Sequence, residues 1–90
     1  MPQDRFWKRL DSRFLYVARE LSGTWFAYTE RPYLKPESEV PPDENPVWEI
    51  RSGVQYLWIS DAASLAYLKR YETRHWTDTL IERPSQENPK

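Results

Sequence analysis

The chain has 90 residues, a formal net charge of −1 and no cysteine. This length suits one domain and is too short for two. The absence of cysteine excludes disulfide frameworks, thiolate metal sites and cysteine nucleophiles. A general nucleic-acid binder needs a basic excess to neutralise phosphates, and this chain lacks one. Its five Trp, six Tyr and three Phe can each bury about 150–250 Å², so a core can form from few aliphatic residues.

Residues 1–9 show no apolar run after their basic residues, which argues against a secretory signal. No stretch approaches the roughly 18 apolar residues of a membrane-spanning helix. We therefore expect a cytoplasmic protein that does not contact the membrane.

The first half of the chain predicts a short helix and a β-hairpin. Residues 4–10 predict one or two helical turns with Phe6 and Leu10 inward and Trp7 as a further inward candidate. Residues 13–19 are rich in β-branched and aromatic side chains and predict a strand, although a helix over 11–21 also fits the spacing. The turn signal at Gly23 and the aromatic run 24–29 complete the hairpin.

Residues 35–46 predict an extended loop. The segment holds four prolines and four acidic residues, and Val40 is its single apolar residue. Proline has no N–H for a strand ladder, so regular pairing ends before this segment. A loop this long in a small domain is either mobile or functional.

The second half predicts another hairpin and a helix. Strands at 47–51 and 54–59 flank a turn at Ser52-Gly53. A helix over 61–74 follows, with Ser60 or Asp61 as its N-cap. Residues 77–81 predict a turn or short strand, and residues 84–90 a disordered tail after a domain of residues 1–83. The predicted inward stripe of the helix is Ala62, Leu65, Leu68 and either Tyr71 or Glu72.

These elements predict an α+β fold with a four-stranded antiparallel sheet, made of two hairpins, and the C-terminal helix on one face. Strand alternation places Tyr56 and Trp58 on one face of the sheet and Leu57 and Ile59 on the other. Both faces therefore carry large apolar side chains, and one helix covers only one of them. The N-terminal segment, a partner subunit or a ligand covers the other face, or it stays exposed as an interaction site.

The residue types needed for catalysis are present without the motifs that organise them. His75, the one histidine, could bind a metal or act as a base with neighbouring acids, and Ser60, Asp61 and His75 are the types of a hydrolytic triad. No nucleophile elbow accompanies them, and the two glycines lie at turns, which leaves no phosphate-binding loop. We expect no enzymatic activity, no catalytic or metal-binding residue and no cofactor.

The acidic loop and the aromatic strands each allow a binding function. The acidic residues of the loop do not have the spacing of an EF-hand, but they could dock on a basic surface. Aromatic residues interleaved with arginine, here Arg13, Tyr16, Trp25 and Tyr28, could stack on single-stranded nucleic acid. Packing of the same aromatic residues in the core and across strands is the favoured interpretation.

We therefore predict a protein–protein interaction module, acting as an adaptor or as an inhibitor of a host enzyme in the manner of phage and mobile-element accessory proteins. A single-stranded nucleic-acid binder is the alternative, and a homodimer is compatible with either. Interface hot spots favour Trp, Tyr and Arg, in which this chain is rich. The predicted partner-contacting residues are Trp25, Tyr28, Arg31, Tyr33, Glu37, Glu39, Asp43, Glu44 and Trp48.

Overall fold

The computed structural model describes the backbone of residues 2–84 and the side chains of residues 5–84. Residues 85–90 of the predicted tail lie outside the described residues. The elements are helix α1 (Pro2–Arg9), strands β1 (Tyr16–Arg19), β2 (Trp25–Tyr28), β3 (Tyr33–Leu34), β4 (Trp48–Glu49) and β5 (Tyr56–Ile59), helix α2 (Ala62–Leu68) and strand β6 (Ile81–Glu82). Short 3₁₀ turns occupy Glu37–Glu39, Lys69–Tyr71 and Trp76–Asp78.

A four-stranded antiparallel sheet in the order β5-β2-β1-β6 forms the centre of the fold. The predicted α+β class is confirmed. The first hairpin is also confirmed, because β1 pairs with β2 in a register that places Val17 opposite Ala27. Gly23 turns the chain between them at a φ of +95°, which a residue with a Cβ rarely adopts.

The predicted second hairpin is wrong. Strand β5 pairs with β2, and β4 pairs with β3 in a separate two-stranded sheet. The predicted turn does form, since Val54 N–H donates to Arg51 O at 3.1 Å and Gly53 has a φ of +90°. Turn chemistry is local, whereas pairing depends on the neighbour that buries more apolar surface. Strand β5 gains an aromatic partner on β2, and Trp48 of β4 is buried instead on the sheet.

One face of the sheet is covered by both helices. Phe6 stacks on Tyr67 with ring centroids 4.8 Å apart, which joins α1 to α2. The predicted inward positions of Phe6 and Leu10 are confirmed. This core cluster contains Phe6, Trp7, Leu10, Phe14, Val17, Trp25, Ala27, Ile59, Tyr67 and Leu68.

Helix α2 begins at its predicted N-cap, and its predicted inward stripe is confirmed at Leu68 but not at Leu65. The Asp61 carboxylate accepts the Ser64 N–H at 2.9 Å, and the helix ends at Leu68 before a 3₁₀ turn, earlier than predicted. Ser64, Tyr67 and Leu68 are buried, whereas Leu65 of the predicted stripe is 39% exposed. The buried stripe shares Leu68 with the predicted one and is displaced toward Ser64 and Tyr67. Because Ser64 is polar, a search for apolar spacing does not include it.

The other face is covered by Trp48 of β4 and Trp76 of a 3₁₀ turn. Their rings meet edge to face, with centroids 6.2 Å apart, and they cluster with buried Ala18 and Tyr28. We call Trp48 and Trp76 the tryptophan cover. The N-terminal segment, which was one predicted cover for this face, packs on the helix side instead.

A hydrogen-bond cluster at the end of β1 holds the tryptophan cover in place. Arg19 N–H donates to the hydroxyl oxygen of Thr79 at 2.9 Å, and that hydroxyl donates to Trp76 O at 2.6 Å. The Trp48 indole N–H donates to Arg19 O at 3.1 Å. Thr79 is fully buried, so these polar groups satisfy one another away from water.

Two leucines on α2 test the assignment of its buried stripe. Leu68→Ala is expected to lower the free energy of unfolding by about 2–5 kcal/mol, because it leaves a cavity in the core. Leu65→Ala is expected to cost less, about 1 kcal/mol, because Leu65 is already 39% exposed and its truncation removes less buried surface. Urea unfolding of both variants measures the difference. Equal decreases in the free energy of unfolding would show that Leu65 is buried in the core as Leu68 is.

Candidate interaction surface

Two large aromatic side chains of β5 project into solvent. Trp58 is 64% exposed and Tyr56 is 62% exposed, the highest values for large hydrophobic residues in the described part of the chain. Phe26 of β2 lies opposite Trp58 in the register and meets the Tyr56 ring edge to face at 6.0 Å. We call Phe26, Tyr56 and Trp58 the aromatic patch. Two exposed aromatic rings beside the half-buried Phe26 form a candidate binding surface.

The aromatic patch is exposed because the tryptophan cover does not reach the edge of the sheet. The cluster around Trp48 and Trp76 draws its sheet residues from β1 and β2, and β5 lies beyond them at the edge. Strand alternation then directs Tyr56 and Trp58 to the same face as the cover, past its boundary. The predicted division of β5 between the two faces is thus confirmed, because Ile59 lies in the helix-side core.

A cleft of about 120 Å³ opens beside the aromatic patch. Its one charged side chain, Glu20, follows β1. Glu20 accepts the Trp48 N–H through Oε1 at 3.2 Å and the Tyr28 hydroxyl through Oε2 at 3.4 Å. The cleft is lined by Glu20, Phe26, Tyr28, Trp48, Ile50 and Tyr56. It therefore combines aromatic walls with one carboxylate.

The carboxylate of Glu20 lies in an environment that disfavours its charge. Burial raises the pKa of Glu20 above its ordinary value, and the nearby Glu49 charge adds to this. The Tyr28 phenol also has a raised pKa, because of its own burial and the charge of Glu20. The ion pairs found among residues 5–84 join Arg13 to Asp11 and Lys35 to Glu49, so neither neutralises Glu20. The cleft is chemically suited to a cation.

The predicted partner-contacting residues fall into two groups. Trp25 and Tyr28 are each 3% exposed and Trp48 is 7% exposed, so these side chains build the core and offer almost no surface to a partner. Trp25 also lies on the helix side of the sheet. The exposed group consists of Arg31, Tyr33, Glu37, Glu39, Asp43 and Glu44.

The acidic loop borders a second concave surface. A groove of about 440 Å³ lies between loop residues, among them Glu37 and Glu44, and the segment His75–Thr77. The loop contains one 3₁₀ turn at Glu37–Glu39 and is otherwise irregular up to β4. Its acidic side chains are therefore presented beside the Trp76 end of the tryptophan cover.

Two of the residues considered for catalysis, His75 and Asp61, have local structural roles. Thr77 N–H donates to His75 Nδ1 at 3.3 Å, so His75 caps a 3₁₀ turn. The Asp61 carboxylate is occupied by the N-cap of α2. Within residues 2–84, no group of three His, Cys, Asp or Glu side chains is placed to hold a metal ion. The same part of the chain has no helix long and apolar enough to cross a bilayer.

Tyr56, Trp58 and Glu20 are the site residues that sequence reasoning missed. The signal for the first two was present, because alternation already placed them on one face of an uncharged strand. The sequence did not show which of these rings stays exposed, because the predicted hairpin with 47–51 gave that strand a neighbour it does not have. Glu20 gave no signal, since its role depends on Trp48, which is distant in sequence.

The chain matches no family model, no curated protein and no solved structure. The chemistry of the aromatic patch and of the Glu20 cleft is the basis for a functional proposal.

The raised pKa of Glu20 gives a pH-dependent contribution to stability. The folded chain binds this proton more tightly than the unfolded chain, so the free energy of unfolding falls as the pH rises from the ordinary Glu value through the raised folded pKa. Glu20→Gln keeps an acceptor for the Trp48 N–H and does not titrate. The difference in unfolding free energy, wild type minus Glu20→Gln, should therefore decrease from about pH 4 to about pH 7. Urea unfolding across this range measures it, and an increase would show that the fold stabilises the ionised carboxylate.

Proposed function

We propose that this chain is a non-enzymatic protein-interaction module whose aromatic patch binds another protein. The observation that carries the proposal is the exposure of Tyr56 and Trp58, both above 60%, on a strand of the central sheet. Aromatic residues dominate binding energy at interfaces because they bury a large area while losing few rotatable bonds. A strand that is already hydrogen-bonded to β2 presents them in a fixed geometry, which lowers the entropic cost of binding.

The charges near the aromatic patch favour a partner with a basic side chain. A Lys or Arg side chain that enters the Glu20 cleft would meet a carboxylate and the ring faces that line it. The cleft volume of about 120 Å³ suits one such head group. Residues 36–50 add five acidic side chains and no basic one, which attracts a basic partner at long range and speeds association.

Inhibition is the effect we propose for this binding. A module that works by binding acts on its partner by occupying surface, and an enzyme partner loses access to whatever the module covers. Addition of the purified chain to the identified partner, followed by an activity assay, distinguishes an inhibitor from an adaptor.

The nucleic-acid alternative has weaker support. Of the side chains that the sequence suggests for base stacking, Trp25 and Tyr28 are buried. A nucleic-acid platform would need Tyr56 and Trp58 in their place, and the net charge of −1 offers little phosphate neutralisation. A capture experiment with and without nuclease treatment distinguishes the two partners.

Removal of the exposed rings is expected to abolish partner binding without unfolding the chain. We expect the immobilised wild type to retain one stoichiometric, nuclease-resistant protein from a lysate of its source cell, and the double variant Tyr56→Ser, Trp58→Ser to lose it. Leu21→Ser is the matched control, since Leu21 is 50% exposed and lies outside the patch. Circular dichroism checks that each variant is folded. Equal capture by the folded double variant would refute the aromatic patch, and loss of capture after nuclease treatment would favour nucleic acid.

The Glu20 cleft is tested separately from the rings. Glu20→Gln preserves the size of the side chain and removes its charge. Loss of one charge-assisted contact, worth about 1.5–3 kcal/mol, should weaken binding of the identified partner by about tenfold or more. Unchanged affinity in a titration would show that no basic side chain enters the cleft.

A further inference from the structure

The two edges of the central sheet are built differently. Strand β6 has two residues, one of them Glu82, and Arg83 and Pro84 follow it. Charges, proline and short length are the usual protection of an edge against pairing with another strand. Strand β5 has four residues, and residues 52–60 contain neither a charge nor a proline. The edge at β5 is therefore open to pairing.

The ladder between β2 and β5 determines which backbone groups of β5 are available. Thr29 N–H donates to Gln55 O at 3.1 Å, and the register places Ala27 opposite Leu57. Because hydrogen-bonding direction alternates along an antiparallel strand, Gln55 and Leu57 direct their N–H and C=O groups toward β2. The corresponding groups of Tyr56 and Trp58 point away from the sheet. Within the described residues, β2 is the one strand paired with β5.

We propose that β5 pairs with β5 of a second copy of the chain, antiparallel about a twofold axis, so that two four-stranded sheets join into one sheet of eight strands. This goes beyond the proposed function, because it uses the backbone edge of β5 and leaves the aromatic patch open on the face. The two patches then lie side by side across the axis.

The charges that flank β5 select a second copy in this orientation. Arg51 and Asp61, both exposed, bracket the nine uncharged residues 52–60. When a strand pairs antiparallel with itself, the start of each copy meets the end of the other. Arg51 of each copy is thus brought to the end that carries Asp61 of the other, and opposite charges meet at both ends. A parallel arrangement would place like charges together.

The available backbone groups also fix the register. Tyr56 exchanges hydrogen bonds with Trp58 of the second copy, and Trp58 with Tyr56, which uses every outward group of the strand. Leu57 then faces Leu57 of the second copy on the twofold axis, as a non-hydrogen-bonded pair. The side chains of Tyr56 and Trp58 are neighbours across the junction, and aromatic pairs in this position stabilise sheets.

A single-cysteine variant tests both the edge and the register. The chain has no native cysteine, so Leu57→Cys introduces one thiol at a position 44% exposed. Opposed residues in a non-hydrogen-bonded pair have Cα atoms about 4.5 Å apart, within the range of a disulfide. The control is Leu21→Cys, because Leu21 is 50% exposed and distant from β5 in sequence.

Sedimentation and cross-linking give the decisive outcomes. We expect the wild type to sediment at twice the 10.9 kDa mass of the chain, and Leu57→Cys to form a disulfide-linked dimer under mild oxidation at least tenfold faster than Leu21→Cys. A wild type that stays at the mass of one chain at high concentration would overturn the proposal, as would equal cross-linking rates. If β5 pairs instead with an extended segment of a different protein, the purified wild type stays at the mass of one chain.

A charge at the twofold axis separates this dimer from partner binding. Leu57→Lys places two like charges opposite each other and should weaken the dimer at least tenfold, whereas Leu21→Lys should not. Leu57 lies on the opposite face from the aromatic patch, so Leu57→Lys should still capture the partner protein. A Leu57→Lys variant that dimerises as tightly as the wild type would overturn the pairing. If the double variant Tyr56→Ser, Trp58→Ser loses partner capture but still dimerises, partner binding uses the aromatic rings and the dimer uses the β5 backbone.

Discussion

The hydrogen bonds at the Arg19 backbone hold the second face of the sheet together. The carbonyl of Arg19 accepts the Trp48 indole N–H, and its amide donates to Thr79, whose hydroxyl reaches Trp76 O. The two rings of the tryptophan cover come from segments 28 residues apart in sequence, and both are tied to one residue of β1. Since a buried polar group without a partner costs about 1–3 kcal/mol, this cluster favours one arrangement of the cover over its alternatives.

In a chain of 90 residues, few residues remain outside the sheet to pack on its two apolar faces. Helices α1 and α2 serve one face and pack on each other through Phe6 and Tyr67. The tryptophan cover serves the other face, and its anchor at Arg19 places it over β1 and β2. Coverage therefore ends before β5, and the aromatic patch and the Glu20 cleft occupy that boundary. The proposed binding surface is therefore the part of the sheet face that the tryptophan cover leaves exposed.

Alternation and turn chemistry are local, and the elements that depend on them alone were predictable from the sequence. Gly23 and Gly53 both turn the chain at positive φ, Asp61 caps α2, and Ile59 and Trp58 lie on opposite faces of β5. The choice of strand partner depends on contacts between distant segments, so the pairing of β5 with β2 and of β4 with β3 was not predictable. The buried stripe of α2 was predicted at Leu68 but not at Ser64, because a polar residue gives no apolar signal.

The same limit applies to the candidate site. Abundant Trp and Tyr are typical both of interfaces and of small cores, and composition does not say which ring serves which purpose. Trp25 and Trp48 build the core, while Trp58 is exposed, although the three occupy similar strand contexts in the sequence. Exposure depends on how far the cover extends across the sheet, which is a property of the assembled chain.

The unequal burial of the tryptophans has an optical consequence. Trp7, Trp25, Trp48 and Trp76 are at most 8% exposed, whereas Trp58 is 64% exposed. Four indoles therefore emit from an apolar environment and one emits from water, so the red side of the emission band belongs mainly to Trp58. A dissolved quencher such as iodide reaches that indole first. Trp58 is thus an intrinsic fluorescent probe of the aromatic patch. A molecule that docks there shifts the emission of this one residue to shorter wavelength and reduces its quenching by iodide.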